Sequence, residues 1–211
     1  PFGFDVWSSG NNKLHWGDQL ELMGNADSYH SIGSGWSNAS NTPFRLYKHY
    51  SHEGGISMPA IIHWPNAELP KGKVIDRPAH IIDLVPTMLA AARADYPQNY
   101  QGVPTMPLPG VNLLNLWQYG QVDEPLSKRA LFFEHQGSRA VREGDWKLVA
   151  TRGEPWELYN IMNDRTESKN LVKRHPVIAK YLAAKWDLWA EQNQVTPLPK
   201  NLGADYLAPL K

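Results

Sequence analysis

The hydrophobic periodicity changes after residue 125. Four short segments follow one another closely, at residues 130–135, 138–142, 145–150 and 156–160. Short apolar segments at this spacing are typical of strands, and a short turn between two of them favours antiparallel pairing. Glu143 and Gly144 fit a two-residue turn between the second and third segments. The pattern therefore predicts a small four-stranded antiparallel sheet.

The segment that begins at Pro176 has helical periodicity. Apolar and aromatic side chains recur in it at intervals of three and four residues, and proline is favoured in the first turn of a helix. We interpret the resulting stripe as the face that packs on the sheet and not as a cofactor site. It consists of Ile178, Tyr181, Leu182, Lys185, Trp186 and Trp189. Beyond Val195 we expect an extended tail.

A second helix is predicted after residue 83. Asp83 can cap it, and Pro86 is tolerated in the first turn, where its missing N–H is not needed. We interpret His80 and Asp83 as capping and packing residues and not as a catalytic pair. One face of this helix would carry Val85, Met88, Leu89 and Ala92.

Between residues 41 and 65 a polar and aromatic run gives way to an apolar one. Glu-Gly-Gly occupies residues 53–55, and residues 60–64 read Ala-Ile-Ile-His-Trp before a proline. The apolar run predicts a short, largely buried strand, and Val74 with Ile75 predicts another. A glycine pair before a buried strand permits close backbone approach or positive φ, and such loops commonly hold binding groups.

Residues 1–40 are rich in Gly, Ser, Asn and Trp. They predict a long loop with a short polar helix near residues 16–23, and long irregular loops in compact proteins are often functional. We expect this loop to border a ligand pocket that His30, Trp36 and Asn38 help to line. A packing role fits Trp36 equally well.

Residues 41–65 carry three linked motifs: Asn-Thr-Pro-Phe-Arg at residues 41–45, Lys48 five residues before Glu-Gly-Gly, and the run ending in Trp-Pro at residues 64–65. Together these motifs resemble the sulfatase family, particularly bacterial arylsulfatases. The similarity continues to about residue 195, through Gly-Ser-Gly-Trp at residues 33–36 and the segments at residues 80–87 and 107–117. The resemblance implies an alkaline-phosphatase-like α/β fold and the hydrolysis of sulfuric esters.

In the resembled family, the lysine at this spacing contacts the sulfate of the substrate, so the resemblance implies a catalytic and substrate-binding role for Lys48. An ammonium group offers a compact charge with three donors. At about 4 Å and an effective dielectric constant of about 20, its attraction to sulfate is on the order of 4 kcal/mol before desolvation. Lys48 would also stabilise charge on the bridging oxygen as the S–O bond breaks. We expect His49, His52 and Trp36 to be further substrate-binding residues.

The catalytic nucleophile of the resembled family is absent from this sequence. Those sulfatases use a formylglycine made from the first residue of a Cys/Ser-x-Pro/Ala-x-Arg motif, beside a Ca²⁺ ion that an Asp-Asn-Gly segment helps to bind. The sequence has no Cys and neither motif. We therefore expect the C-terminal part of a sulfatase, with no metal ligands and no activity by itself. Ca²⁺ and formylglycine would belong to the complete enzyme.

Residues 95–125 are rich in Pro, Gly and Asn, as is typical of a domain boundary. We assign residues 1–122 to the C-terminal part of the large mixed-sheet α/β domain. Residues 123–211 would then form a small subdomain, in which the C-terminal helix packs on the four-stranded antiparallel sheet.

Composition narrows the range of partners and locations. The 21 basic and 21 acidic residues balance, so no basic face indicates nucleic-acid binding. The sequence contains no apolar run of about 18 residues, so it does not predict a membrane span. The chain starts without Met or a signal peptide, which suggests a fragment or a processed product. The resemblance implies a periplasmic or secreted enzyme for aryl sulfates or sulfated glycans, with the natural substrate, the metal and the oligomeric state left open.

The same residues permit other interpretations. A zinc site at His49 and His52 is disfavoured because the following glycines oppose the helix that such a pair needs. A second polar cluster at a predicted strand end could reach the rim of the pocket, namely Glu134, His135, Gly137 and Arg139.

Two other functions stay open: a non-catalytic module that is structural or binds sulfated carbohydrate, and a phosphatase or phosphodiesterase relative. The lysine loop argues against the second.

Overall fold

The computed structural model describes Glu21 and residues 33–195. Three predictions lie outside these residues. They are the helix near residues 16–23, of which only Glu21 is described, the pocket position of His30, and the tail beyond Val195. The described residues divide into two compact units. The sheet unit comprises the residues up to Met58, Phe132–Val141 and the residues from Asp145 onward, and the helical unit comprises Pro59–Leu131 with Arg142–Gly144.

The secondary structure follows the sequence patterns in the second half of the chain more closely than in the first. A 3₁₀ turn at Ile81–Asp83 precedes the third helix. In chain order the other elements are α1 (Gly33–Ser40), α2 (Glu53–Ile56), α3 (Leu84–Ala92), β1 (Asn99–Tyr100), β2 (Val103–Pro104), α4 (Leu114–Tyr119), α5 (Glu124–Lys128), β3 (Ala130–His135), β4 (Ser138–Glu143), β5 (Trp146–Ala150), β6 (Glu157–Asn160) and α6 (Pro176–Gln192).

Strands β3 to β6 form the predicted four-stranded antiparallel sheet, in the order β3-β4-β5-β6. The register of β5 on β6 pairs Trp146 with Asn160 and Val149 with Glu157. The turn between β4 and β5 lies one residue later than predicted, at residues 144–145. Gly144 has φ +55°, a conformation that costs glycine little. The turn can therefore begin at Gly144, and Glu143 remains in the strand.

Helix α6 packs on one face of the sheet, where the rings of Phe132 and Trp189 stack with their centroids 5.2 Å apart. The other face carries a buried cluster, in which Ala140, Val149, Tyr159 and Ile161 lie against Phe133. Helix α6 buries a narrower stripe than predicted, made of Ala179, Leu182, Trp186 and Ala190. The predicted place of Tyr181 in this stripe is wrong. Its ring is 52% exposed, and the Lys185 ammonium lies 5.0 Å from the ring centroid.

The strand predicted at residues 60–64 is wrong. These residues have no regular structure, and Ile61 is 94% exposed. The same holds for Val74 and Ile75, which form no strand. A strand needs a partner for its backbone N–H and C=O groups, and none of the described strands pairs with either run. The apolar side chains predicted a strand, but within the described residues no strand lies beside them to supply the backbone hydrogen bonds.

Helix α3 forms as predicted, but its entry is built differently. His80 is the N-cap of the 3₁₀ turn, and its side chain accepts a hydrogen bond from Ile82 N, while Asp83 Oδ2 accepts one from His80 N, which completes a capping box. Asp83 makes no side-chain cap to α3 itself. Its carboxylate is fully buried and pairs with Arg129 at 2.8 Å.

Candidate functional site

Lys48 lies in a tight loop of residues 45–50, here called the lysine loop. Leu46 has φ +66° and His49 has φ +85°. Each such conformation costs a residue with a side chain about 1–3 kcal/mol, and it persists only where the surroundings impose it. Strained residues on both sides of Lys48 therefore indicate that contacts from the rest of the protein fix the shape of this loop.

The glycine pair at residues 54–55 fixes the shape of the lysine loop. Gly54 N donates to Arg45 O at 3.1 Å. A Cβ on Gly54 would lie 2.2 Å from Leu46 O, and one on Gly55 would lie 2.0 Å from Tyr50 O. The sequence prediction of a close backbone approach is therefore right, whereas neither glycine has positive φ. Only glycine allows α2 to pack directly against both ends of the loop.

Two asparagine side chains hold the loop from its other side. Asn38 Oδ1 accepts a hydrogen bond from Leu46 N at 2.7 Å, and Asn41 Nδ2 donates to Leu46 O at 2.9 Å. Both backbone polar groups of the strained Leu46 are thus satisfied by short polar side chains. This arrangement accounts for a positive φ at a leucine.

A buried ion cluster lies behind α2. Lys147 Nζ is 2.9 Å from Glu53 Oε1 and 2.9 Å from Glu167 Oε1, and all three side chains are at most 2% exposed. Glu167 Oε2 also accepts a hydrogen bond from Glu53 N at 2.8 Å. Removing one partner of such a cluster leaves a buried charge uncompensated, at a cost of about 3–5 kcal/mol. The cluster ties the start of α2, and with it the lysine loop, to β5.

Glu157 gathers a second polar network. Its Oε2 accepts hydrogen bonds from His52 Nε2 at 3.1 Å and from Tyr159 Oη at 3.0 Å, and it lies 3.6 Å from Arg45 Nη1. The hydrogen bond from His52 is the main reason that the pKa of Glu157 is lowered, with Tyr159 and Arg45 adding to it against the effect of burial. Burial and the Glu157 charge raise the pKa of Tyr159.

The four predicted site residues occupy different surroundings. Lys48 is exposed and makes no ion pair with the described part of the chain. His49 is half-buried, and its Nδ1 lies 3.0 Å from Gln136 Oε1 and 3.2 Å from His135 Nε2. His52 is fully buried and faces Glu157. Trp36 lies on α1 and is 68% exposed.

A cleft of about 260 Å³ opens beside the lysine loop, within the sheet unit. We call it the Arg152 cleft. Its polar lining combines two guanidinium groups with two carboxylates, an imidazole and an amide. The lining residues are Arg45, Leu46, His49, Tyr50, Gln136, Ser138, Thr151, Arg152, Glu154, Pro155 and Glu157.

The described residues do not fit the calcium ion that the family resemblance implies. No group of three or more His, Cys, Asp or Glu residues in the described ranges is arranged to hold a metal ion. Among the described helices, none has the length and apolar character to cross a bilayer. What these residues offer is the exposed positive charge of Lys48 and the charged and polar groups that line the cleft.

The sheet packed by its C-terminal helix, together with the lysine loop, defines the C-terminal part of a sulfatase of the alkaline-phosphatase-like fold. Residues 44–192 match the family described as N-sulphoglucosamine sulphohydrolase, C-terminal, and the chain belongs to that family.

Relatives of known sequence and structure agree with this assignment. The chain is 32% identical over 196 residues to an uncharacterized sulfatase of Schizosaccharomyces pombe, a match that covers 89% of this chain and 34% of the relative. It is 28% identical over 152 residues to a sulfatase of Formosa agariphila, covering 65% of this chain and 26% of the relative. These matches span about a third or less of each relative's length.

Two solved structures resemble the chain. The crystal structure of Ps i-CgsB has a TM-score of 0.60 and 26% identity, and the match covers 72% of this chain and 33% of the other. Ps i-CgsB in complex with k-i-k-neocarrahexaose has a TM-score of 0.51 and 26% identity, covering 63% and 28%. The second structure shows that this similar protein binds an oligosaccharide.

Local sequence patterns missed Lys147, Glu167, Glu157 and Arg152. Lys147 lies 94 residues from its partner Glu53, and no local period marks a pair that is so far apart. The one available signal was the position of Lys147 among apolar residues in a predicted strand. A lysine is seldom fully buried without a partner, so this position indicates that an acidic partner lies elsewhere in the chain. The cluster around His135 does stand out in the sequence, and the structure brings its ring to 5.3 Å from that of His49.

Proposed function

We propose that this chain is the C-terminal part of a sulfuric ester hydrolase in which Lys48 binds the sulfate of the substrate. The observation that carries the proposal is the lysine loop, where two strained residues flank an exposed ammonium group. Membership of the sulfatase family supports it. The sequence has no Cys and no Cys/Ser-x-Pro/Ala-x-Arg motif from which a formylglycine could form, so we expect no turnover from this chain alone.

The rigidity of the loop supports a catalytic role. A lysine on a mobile surface loop would lose side-chain and backbone entropy on binding, whereas the lysine loop is already ordered by Gly54, Asn38 and the ion cluster around Lys147. Because the backbone of the loop is held in place, little of it must reorganise when Lys48 stabilises the charge that develops on the departing oxygen. His49 is the proposed second contact, and the buried His52 would act by positioning Glu157.

The nucleophile and the cation would come from another part of the complete enzyme. A formylglycine and a Ca²⁺ ion would supply the attacking oxygen and the charge compensation there, whereas the residues of this chain would bind and orient the ester. The proposed substrates are aryl sulfates or sulfated glycans, and the oligosaccharide complex of Ps i-CgsB supports the glycans. A periplasmic or secreted location is proposed on the family resemblance alone.

Replacing Lys48 in the complete enzyme tests the proposal. We expect Lys48→Ala to lower kcat/KM for an aryl sulfate by about 10²–10³-fold, as for the loss of one donor to a transition-state oxyanion. Lys48→Arg should recover part of this loss, because the charge remains while the geometry differs. The control is Lys180→Ala, since Lys180 is exposed on α6.

Three outcomes would contradict the proposal. Unchanged hydrolysis by the Lys48→Ala enzyme would show that Lys48 does not bind the sulfate of the substrate. A higher kcat/KM for phosphate esters than for sulfate esters would favour a phosphatase or phosphodiesterase. Saturable binding of a sulfated sugar with no turnover by the complete protein would favour a non-catalytic binding module.

A further inference from the structure

We propose that helix α6 pairs antiparallel with α6 of a second copy of this chain, so that the protein forms a homodimer. A helix that packs on a single partner carries one apolar stripe, whereas α6 carries two. The first, around Leu182 and Trp186, is buried on the sheet. The inference is independent of the proposed function, because no residue of the lysine loop lies on α6, and we expect hydrolysis by monomer and dimer alike.

The second apolar stripe of α6, here called the outer row, is exposed. Val177 is 78% exposed and Leu188 55%, and Tyr181 and Ala184 are exposed between them. Their spacing of four, three and four residues is the heptad spacing that lines one helix against another. At 3.6 residues per turn, the four side chains fall within a sector of about 60°, on the side of the helix opposite the buried stripe. Such an aligned row marks an interaction surface, unlike scattered apolar residues.

Two opposite charges flank the outer row on one side. Lys180 and Asp187 are seven residues apart, so they lie on the same flank of the helix, about two turns from one another. Both residues are exposed, and neither side chain makes an ion pair or a hydrogen bond within the part of the chain that the structure describes. Each charge is therefore available to a partner of opposite sign.

The order of these two charges identifies a second copy of the chain as the partner. A two-fold axis between antiparallel helices places the same flank of each copy together, running in opposite directions. Lys180 of one copy then lies opposite Asp187 of the other, and the symmetry forms this ion pair twice. The midpoint of the two charges lies one residue from the midpoint of the outer row, so one axis pairs both the charges and the apolar side chains.

Parallel pairing of the same helices is disfavoured. It would bring Lys180 of one copy towards Lys185 of the other, because Lys185 lies on the opposite flank of the outer row. Like charges placed together across an interface oppose association. The charge pattern thus selects the antiparallel arrangement.

The outer row is short, which sets the expected strength of the dimer. Its four residues span about 17 Å of helix, at about 1.5 Å per residue. Small interfaces are weak and transient, so we expect a monomer–dimer equilibrium with a dissociation constant on the order of 10 μM.

Sedimentation velocity of the complete protein between about 1 and 200 μM tests the inference, since this range brackets the expected dissociation constant. The wild type should shift from monomer to dimer as its concentration rises. Leu188→Glu places a charge in the outer row and should raise the dissociation constant tenfold or more. The control is Lys71→Glu, which makes a charge reversal in an exposed turn outside α6 and should associate as the wild type does.

A charge exchange tests the antiparallel arrangement. Lys180→Glu and Asp187→Lys should each weaken association, because each puts like charges together, and the double variant should restore it to near the wild-type value. Both side chains are exposed, so none of these variants should lower the free energy of unfolding by more than about 0.5 kcal/mol.

Three results would overturn the inference. The first is a wild-type protein that stays monomeric over the whole concentration range. The second is a dimer that Leu188→Glu leaves intact, because that dimer would use another surface. The third is a double charge variant that associates no better than the single variants.

Discussion

At the scale of single residues, burial divides the roles of neighbouring side chains. Lys48 and His52 are four positions apart, yet Lys48 is exposed and His52 is fully buried against Glu157. The exposed ammonium is available to a ligand, and the buried imidazole donates a charge-assisted hydrogen bond inside the protein. Residue type alone therefore does not decide which of them contacts a substrate.

His80 and Asp83 predict how stability depends on pH. Burial lowers the pKa of His80, with Arg129 adding to this effect and Asp83 opposing it. Burial also opposes the ionisation of Asp83, but hydrogen bonds from Arg129, Val111 N and His80 N outweigh it and lower its pKa. The neutral imidazole and the charged carboxylate are thus the forms that the folded state favours.

The free energy of unfolding should fall in two steps on acidification. Both groups have a lower pKa in the folded state, so each contribution is present above the unfolded-state pKa and is lost as pH falls through the folded-state value. The His80 contribution should decline below about pH 6.5 and that of Asp83 below about pH 4. His80→Asn keeps a capping acceptor but does not titrate. Urea unfolding at pH 7 and pH 5 should therefore show a smaller decline for His80→Asn than for the wild type, and an equal decline would contradict this account.

At the scale of elements, the lysine loop and α2 act as one piece. The loop has little regular structure of its own, and its shape depends on Gly54 and Gly55 and on the ion cluster around Lys147. A change that moves the backbone at residues 45–47 should therefore move Lys48. The same change need not disturb the packing of α6, which lies on the opposite face of the sheet from the hydrogen bond between Arg45 and Tyr159.

Gly54→Ala should lower both the stability of the protein and the activity of the complete enzyme. Its Cβ would lie 2.2 Å from Leu46 O and 2.4 Å from Arg45 O, so the backbone of the loop must shift. We expect a loss of about 1–3 kcal/mol in the free energy of unfolding, as for other overpacked sites. In the complete enzyme, kcat/KM for an aryl sulfate should fall tenfold or more. The control is Gly35→Ala, where nothing lies within 4 Å. Wild-type activity in Gly54→Ala would show that the glycine does not position Lys48.

The elements also show which sequence signals carry structural information. The short segments between residues 130 and 160 predicted β3 to β6 because they follow one another closely and turn residues separate them. The run at residues 60–64 gave the same apolar signal but forms no strand, because pairing depends on a partner that composition does not reveal. The lysine loop was found from its motif. Its supports at Lys147 and Glu167 were not, because they come from distant parts of the chain.

At the scale of the whole molecule, the helical unit exposes several large apolar side chains. Ile61 is 94% exposed, Ile81 75% and Met88 63%. Exposed apolar surface of this kind commonly marks an interface. The chain also covers only 34% of its relative from Schizosaccharomyces pombe. Both observations support the proposal that a further part of a longer sulfatase packs on this unit and supplies the nucleophile and the metal site.

A crystal structure of the complete protein with a bound sulfate ester, or with sulfate itself, would test the central claim most directly. The account predicts that Lys48 Nζ lies about 3 Å from a sulfate oxygen, within hydrogen-bond distance. It also predicts that the lysine loop keeps positive φ at Leu46 and His49. A sulfate bound at the nucleophile with Lys48 turned away into solvent would contradict the account.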